Sequence, residues 1–177
     1  MRKTKLWLLV VITTIVGCAP PQHEIRRSNP EGPLLTRSDS VYVAVPKDAI
    51  YRGKTYWGSG LATSKVLLSF FSMRDMRAEI ARSHQSFDDA KKSALDSNYK
   101  YLFYPTIVRW EDRTSEWTGK IDQIEIWIEV VEVSTGKVVD SSMLISKSDI
   151  VGSGLGPPQG LLSELFSNYV HGLLSTR

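Results

Sequence analysis

The stretch Ile121-Asp-Gln-Ile-Glu-Ile-Trp-Ile-Glu-Val-Val-Glu-Val133 decides the fold. Four branched apolar residues alternate with polar or amphipathic ones, at Ile124, Ile126, Ile128 and Val130. Successive side chains of a strand point to opposite faces, so this period of two indicates a strand with one buried face. The other face, with Glu125, Trp127 and Glu129, is amphipathic, which is typical of an antiparallel sheet with one partly wet side.

The residues around this strand predict its neighbours. Ser134-Thr135-Gly136-Lys137 is a turn, and Val138–Ser146 pairs back as a hairpin. The aromatic and β-branched run Tyr101–Trp110 forms the strand before it, joined through Arg113–Lys120.

Further toward the amino terminus, strands and helices alternate. We expect strands at Val41–Val45 and Ala78–Ser83, a helix at Ser59–Ser72 capped by Ser59, and a helix opened by Ser86 and stopped at Asn98. A last helix from Gln159 carries two apolar stripes that lie flat on the sheet. The prediction is an α+β fold with one sheet in the order β-α-β-α-β-β-β-α.

The first residues read as an export signal. Arg2, Lys3 and Lys5 precede the apolar run Leu6–Val16, which is too short to span a bilayer. Ile15-Val16-Gly17-Cys18 resembles the lipobox of bacterial lipoproteins, which implies cleavage after residue 17 and lipidation of Cys18, the only cysteine. The alternative is an ordinary signal peptide with a chance cysteine.

The leader sets the predicted domain organisation. Residues 1–17 are the signal peptide, residues 18–40 are a lipidated flexible tether rich in Pro and polar residues, and residues 41–177 are one periplasmic domain. By resemblance to the enterobacterial sorting pattern, in which Asp after the cysteine retains a protein at the inner membrane, Ala19 implies the outer membrane.

Charge argues against nucleic acid as a partner. The net charge of +3 comes entirely from the leader, and the mature chain has 19 basic and 19 acidic side chains. Binding nucleic acid needs a basic footprint, which a neutral chain does not indicate. Docking onto anionic lipid by charge is not indicated either.

Searches for chemistry find no catalytic or metal site. His23, His84 and His171 lack metal-ligand spacing. Gly53-Lys54-Thr55 lacks the first glycine of a phosphate-binding loop, and no Gly-x-Ser-x-Gly element exists. The adjacent Glu111 and Asp112 would point to opposite faces of a strand. We therefore expect no cofactor and no enzymatic activity.

Aromatic residues are the remaining signal for function. The predicted loop Lys47–Gly58 contains three, and two tryptophans flank the next polar loop. Tyr and Trp are enriched in binding hot spots, so we expect a partner-binding surface at Tyr51, Tyr56, Trp57, Trp110 and Trp117. Trp110 and Trp117 alternatively pair across two strands, and Trp127 packs under a helix or beside its neighbours on the sheet.

The element order and the Val133–Val138 hairpin resemble the periplasmic α/β domains of envelope lipoproteins: the curli-secretion lipoprotein, the activators of penicillin-binding proteins, and the amino-terminal domain of the Tol translocation protein. The chain also resembles an uncharacterised family of short bacterial lipoproteins that carries Tyr51-Arg52-Gly53, Trp57-Gly58-Ser59-Gly60 and Trp110-Glu111-Asp112.

These observations lead to one expectation and two alternatives. The protein is expected to be an outer-membrane lipoprotein that faces the periplasm and binds another envelope protein, or itself, without catalysis. The first alternative is a self-assembling secretion or transport component, which would require ring formation and a membrane-inserting segment. The sequence shows no obvious long amphipathic hairpin to supply that segment. The second is an envelope hydrolase, which would need a nucleophile and base that the motifs do not show.

Overall fold

The computed structural model describes residues 22–31, 34–112, 121–148 and 158–174. Eight strands lie in these residues: β1 (Gln22–Arg27), β2 (Ser40–Val45), β3 (Ala49–Tyr51), β4 (Lys54–Tyr56), β5 (Arg77–His84), β6 (Tyr101–Glu111), β7 (Gln123–Glu132) and β8 (Lys137–Lys147). The helices are α1 (Ser59–Ser72), α2 (Phe87–Asp96) and α3 (Leu162–Leu173), and a 3-10 turn at Pro158–Leu161 leads into α3.

Six of these strands form one mixed sheet in the order β1-β8-β7-β6-β2-β5, and β3 pairs with β4 separately. Strands β6, β7, β8 and β1 pair antiparallel, whereas β2 lies parallel to both β5 and β6. The α+β class and the predicted order are found from β2 to α3. The structure adds β1 and the β3–β4 hairpin, and the pairs around β2 are parallel because α1 and α2 return the chain across the sheet.

The alternation in β7 has the predicted effect. Ile124, Ile126, Ile128 and Val130 are fully buried against α1 and α3, and the residues between them are half-buried on the opposite face. Fully burying each such side chain contributes about 1.5–3 kcal/mol before entropy is counted. The turn that follows places Gly136 at φ +68°, and β8 pairs back as predicted.

Helices α1 and α3 cover this core face together. The predicted double stripe of α3 is buried at Leu162, Leu165, Phe166, Tyr169, Val170 and Leu173. From α1, Phe71 packs edge-on against Phe103 of β6 at 4.9 Å between ring centroids. The buried face of α1 also contains small polar residues, Thr63 and Ser64, which allow the helix to approach β2 closely.

Helix α2 lies on the other face of the sheet and covers only part of it. Ala90 and Ala94 are fully buried there among Tyr42, Leu102 and Val131. The predicted cap is confirmed, because the Ser86 hydroxyl accepts the backbone N–H of Asp89 at 3.2 Å. Asn98 has φ +56°, which is the predicted left-handed stop after the helix.

Residues 22–40 were expected to be part of an unpacked tether, and this expectation is wrong. Strand β1 pairs with β8 along its whole length, from Gln22 opposite Lys147 to Arg27 opposite Ser142. Leu35 is 1% exposed in the core, and the N–H groups of Leu34 and Leu35 both bond to the carbonyl of Leu173. The alternation of His23, Ile25 and Arg27 toward α3 supplies the buried face that the polar composition conceals.

Candidate interaction surfaces

The aromatic segment expected as a loop is a short β-hairpin. β3 and β4 pair with Ala49 opposite Tyr56 and Tyr51 opposite Lys54. Its turn residues have positive φ angles, +51° at Arg52 and +75° at Gly53, as a two-residue hairpin turn of type I′ requires. The glycine of Tyr51-Arg52-Gly53 is therefore explained by the turn geometry.

The hairpin carries large apolar side chains in solvent. Trp57 is 85% exposed and Ile50 is 69% exposed. Tyr51 and Tyr56 are half-buried, and each is accompanied by a cation: the Arg52 guanidinium is 5.2 Å from the Tyr51 ring and the Lys54 ammonium is 4.7 Å from the Tyr56 ring. The surface therefore combines exposed apolar groups with aromatic and cationic ones.

Tyr56 connects the hairpin to the end of the large sheet. Its ring packs on the core, and this burial raises the pKa of the Tyr56 phenol, with a further increase from the charge of Asp112 and a hydrogen bond to it. Asp122, which precedes β7, acts in the same direction on the pKa of Tyr56. Tyr56 thus lies where β6 ends and β7 begins.

The Trp57-Gly58-Ser59-Gly60 element holds the hairpin against α1. Ser59 was predicted to cap α1, but the cap position is Gly58, at φ +82°. The Ser59 hydroxyl instead accepts the N–H of Ala49 at 2.8 Å, and a carboxylate oxygen of Asp48 accepts the N–H of Gly60 at 2.9 Å. The helix start is thus capped by the segment that precedes the hairpin.

Gly60 is needed for close packing of this corner. A Cβ atom on Gly60 would overlap the carbonyl oxygen of Pro46. The second glycine of the element therefore allows α1 to begin directly beside the end of β2.

Trp110, in the other predicted contact region, does not share a surface with the hairpin. Trp110 lies in the core, opposite Ile124 on β7, and is 1% exposed, so the expectation that it contacts a partner is wrong. It faces the core because the bulge between Ile107 and Arg109 shifts the alternation of β6 by one residue, so that Trp110 falls on the same face as Ile107. Trp117 lies outside the described residues.

A second surface is the part of the sheet that α2 leaves uncovered. Side chains at paired positions on β6, β7 and β8 share this face: Thr106 lies opposite Trp127, which lies opposite Met143. Ile145, the next residue of β8 on this face after Met143, lies opposite Glu125 on β7 and Glu24 on β1. Trp127, Met143 and Ile145 are all half-buried. We call these three residues the apolar strip.

Charged residues border the apolar strip. Arg109 bonds to Glu125 at 3.0 Å, and Arg26 to Glu24 at 2.6 Å. In the described part of the chain no helix packs over the strip, so Trp127 lies beside its strand neighbours, which is one of the two arrangements expected for it. Sequence reasoning placed Trp127 on the amphipathic face but did not identify Met143 and Ile145 beside it.

A cleft of about 440 Å³ lies at the carboxyl end of β2, between the β3 segment and residues 104–107 of β6. This is where the chain turns to α1 on one face and, after β5, to α2 on the other. His84 lies at its rim, where ring nitrogen Nδ1 bonds to the Val45 carbonyl at 3.0 Å. Tyr104, Lys47 and Asp48 complete the polar lining.

The cleft does not assemble a recognisable catalytic array among these residues. The Asp48 carboxylate accepts a hydrogen bond from the Gly60 N–H. Burial raises the pKa of Tyr104, and the nearby charge of Glu129 raises it further. Throughout the described ranges, no group of three or more His, Cys, Asp or Glu side chains is arranged to hold a metal ion. In the same residues no helix is long and apolar enough to cross a membrane.

A buried polar cluster joins β1 to the rest of the domain. Asp140 of β8 is fully buried and accepts Arg27 Nε at 3.0 Å, the Ser28 hydroxyl at 3.1 Å and the Asn29 N–H at 3.1 Å. Arg27 also donates to the carbonyl of Gly172 in α3 at 3.1 Å. Nearby, burial raises the pKa of the fully buried Tyr169 phenol.

The fold and surfaces define an α+β domain whose mixed sheet has α1 and α3 on one face and, on the other, α2 beside an apolar strip that no described helix covers. The chain belongs to the family described as "Domain of unknown function (DUF4823)", whose pattern matches residues 34–173. No curated protein matches the sequence.

Solved structures share the fold at low sequence identity. The PelC dodecamer from Paraburkholderia phytofirmans is 16% identical, with a TM-score of 0.69 over 88% of this chain and 100% of that one. A second crystal form of a PelC variant gives 18% identity and a TM-score of 0.68 over the same shares. A DUF330 protein from Xanthomonas campestris is 15% identical, with a TM-score of 0.51 over 80% of this chain and 86% of that one.

Proposed function

We propose that the protein is a bacterial envelope lipoprotein whose domain binds further copies of itself without catalysis. Acylation of Cys18 holds it at a membrane, and Ala19 favours the outer membrane with the domain in the periplasm. The observation that carries the proposal is the apolar strip of Trp127, Met143 and Ile145, on the part of the sheet that no described helix covers.

The chemistry of the strip suits a protein partner. Its centre is apolar and aromatic, and its border carries both Arg and Glu side chains, which is the arrangement of an interface core with a polar rim. Because the border carries both signs of charge, it can pair with charged residues on a second copy of the protein.

The fold also supports self-association. PelC, whose whole chain aligns with this one, is a dodecamer. A closed ring uses two different patches on each subunit, so the apolar strip would meet another region of the neighbouring copy rather than itself. A ring-forming secretion or transport component is the second candidate, favoured by this likeness.

The experiment compares assembly of lipidated wild-type protein with two variants. A photo-crosslinking amino acid at position 127 should give a ladder of self-crosslinks in intact cells, and the same group at exposed Thr135 should not. Trp127→Lys should convert the purified assembly to monomers in mass photometry, whereas Thr135→Lys should leave its size unchanged.

Two outcomes would contradict the proposal. A wild-type monomer that crosslinks at position 127 to one foreign protein would assign the strip to another envelope protein. Palmitate incorporation that persists in Cys18→Ala would remove the lipid anchor from the proposal.

A further inference from the structure

The large sheet has one end from which the anchored segment leaves. Four residues at this end lie in one row across four strands: Glu111 of β6 opposite Gln123 of β7, then Lys147 of β8, then Gln22 of β1. Cys18 is four residues before Gln22, so the chain between them spans at most about 14 Å. A lipid on Cys18 therefore keeps this end of the sheet close to the bilayer.

The β3–β4 hairpin lies beside the half of β6 that leads to this end: Ile50 lines the cleft with residues 104–107, and Tyr56 lies nearer the row. Its Tyr56 interacts with Asp112, which follows Glu111, and with Asp122, which precedes Gln123. Three strand spacings separate β6 from β1, or about 14 Å. The hairpin and the start of β1 are therefore two separated points at one end of the domain.

This end also has the most exposed apolar side chains of the described residues. Trp57 and Ile50 of the hairpin region are 85% and 69% exposed. Val108, within the bulge of β6, is exposed as well. An exposed apolar patch of this kind marks a surface that contacts protein or lipid.

The composition of the hairpin fits a lipid headgroup region, and the nearby anchor favours lipid over protein as its contact. Trp and Tyr concentrate at the level of lipid headgroups, where an apolar ring and a polar edge are both accommodated, and Arg and Lys extend their charged ends to the headgroups. Tyr51 with Arg52, and Tyr56 with Lys54, provide two such pairs beside Ile50 and Trp57.

Charge is not the main attraction, because both signs occur at this end of the sheet. The charged residues there include Lys47, Arg52, Lys54 and Lys147 with Asp48, Glu111, Asp112 and Asp122. Apolar insertion should therefore occur on uncharged lipid surfaces.

We propose that the β3–β4 hairpin inserts Ile50 and Trp57 into the headgroup region of the bilayer in which Cys18 is anchored. This inference rests on the lipid anchor of the proposed function. Two attachment points hold this end of the sheet at the membrane, so that the strands lead away from the bilayer and the apolar strip stays available to neighbouring copies.

The test uses the full lipidated chain in vesicles of zwitterionic phosphatidylcholine. When Cys18 is acylated, a cysteine introduced at position 50 or 57 is the only free thiol and can carry a nitroxide spin label. Matched controls are Leu95→Cys and Val138→Cys, which are also exposed apolar positions. Val138 lies near the opposite row of the sheet, where Tyr101, Glu132 and Lys137 are paired.

At positions 50 and 57, collisions of the label with oxygen should exceed collisions with a water-soluble nickel complex. At positions 95 and 138 the order should be reversed. The same result is expected at low and high salt. A label at 50 and 57 that is accessible to nickel, or shielded from both reagents as in a protein contact, overturns the inference.

Spin labelling of the wild-type protein distinguishes failure of the hairpin insertion from failure of the lipid anchor. If its thiol takes up the label, Cys18 is not acylated and the proposed function fails first. If it does not, and positions 50 and 57 remain aqueous, the anchor stands and only the hairpin contact is refuted.

Discussion

Arg27 and Asp140, 113 residues apart in the chain, form a 3.0 Å ion pair in which the carboxylate is fully buried. The pair joins the first strand of the sheet to the β7–β8 hairpin, and Arg27 continues to α3 through the Gly172 carbonyl. The strand next to the proposed anchor is thereby part of the domain.

We expect Arg27→Ala to destabilise the domain, because it leaves the Asp140 carboxylate buried without its cation. Removing one partner of a buried pair costs about 3–5 kcal/mol, which corresponds to a decrease in Tm of roughly 6–20 °C for a chain of this size. Thermal unfolding followed by circular dichroism measures the change. The control is Arg26→Ala, which removes an exposed pair with Glu24 on the same strand and should leave Tm unchanged. Equal decreases in both variants would show that Arg27 has no special role.

Gly60→Ala should destabilise the corner between β2 and α1. The added methyl group overlaps the backbone carbonyl of Pro46, which cannot move without shifting the end of β2. We expect a loss of about 1–3 kcal/mol in the free energy of unfolding, measured by urea denaturation. Gly172→Ala, in α3 with open space around its Cβ position, should be neutral or stabilising by up to about 1 kcal/mol. A stable Gly60→Ala variant would contradict the close approach.

The stability of the folded domain should depend on pH through the Asp39 carboxyl group. Burial alone would raise the pKa of Asp39, but hydrogen bonds from Lys100 at 2.7 Å and from the Thr36 N–H at 2.8 Å outweigh it, so the pKa is lowered. A carboxyl group with a lowered folded pKa stabilises the protein above its unfolded pKa of about 3.9, and this stabilisation is lost as the pH falls through the folded value. Asp39→Asn should therefore lower stability at neutral pH, and its difference from wild type should shrink in acid. A difference that is constant with pH would contradict this assignment.

Ile126→Asp should abolish cooperative unfolding, because it places an unpaired charge in the core between the sheet and the two helices. Trp127→Lys, one residue further on the uncovered face, should keep the secondary structure and a cooperative thermal transition. Circular dichroism of both variants tests the two faces of β7 against each other. A folded Ile126→Asp variant would mean that the faces are assigned incorrectly.

Local sequence patterns were sufficient to predict several elements of the fold. The two-residue period of β7, the turn containing Gly136, the Ser86 cap and the Asn98 stop all depend on residues within a few positions of one another, and the structure has each of them. Trp57 is exposed and Trp110 is in the core, and a contact surface at the aromatic hairpin stays a prediction.

The amino-acid sequence alone therefore determined the order of the longer elements from β2 to α3, but not the β3–β4 hairpin between them, since helix and strand periods are written in consecutive residues. It did not reveal that β1 joins the sheet, that β2 pairs in parallel, or that the aromatic hairpin and the start of β1 share one end. Each of these depends on contacts between distant residues, such as Gln22 with Lys147 and Arg27 with Asp140. Short strands with weak patterns acquire their partners from long-range burial and hydrogen bonding, and only the folded chain brings those groups together.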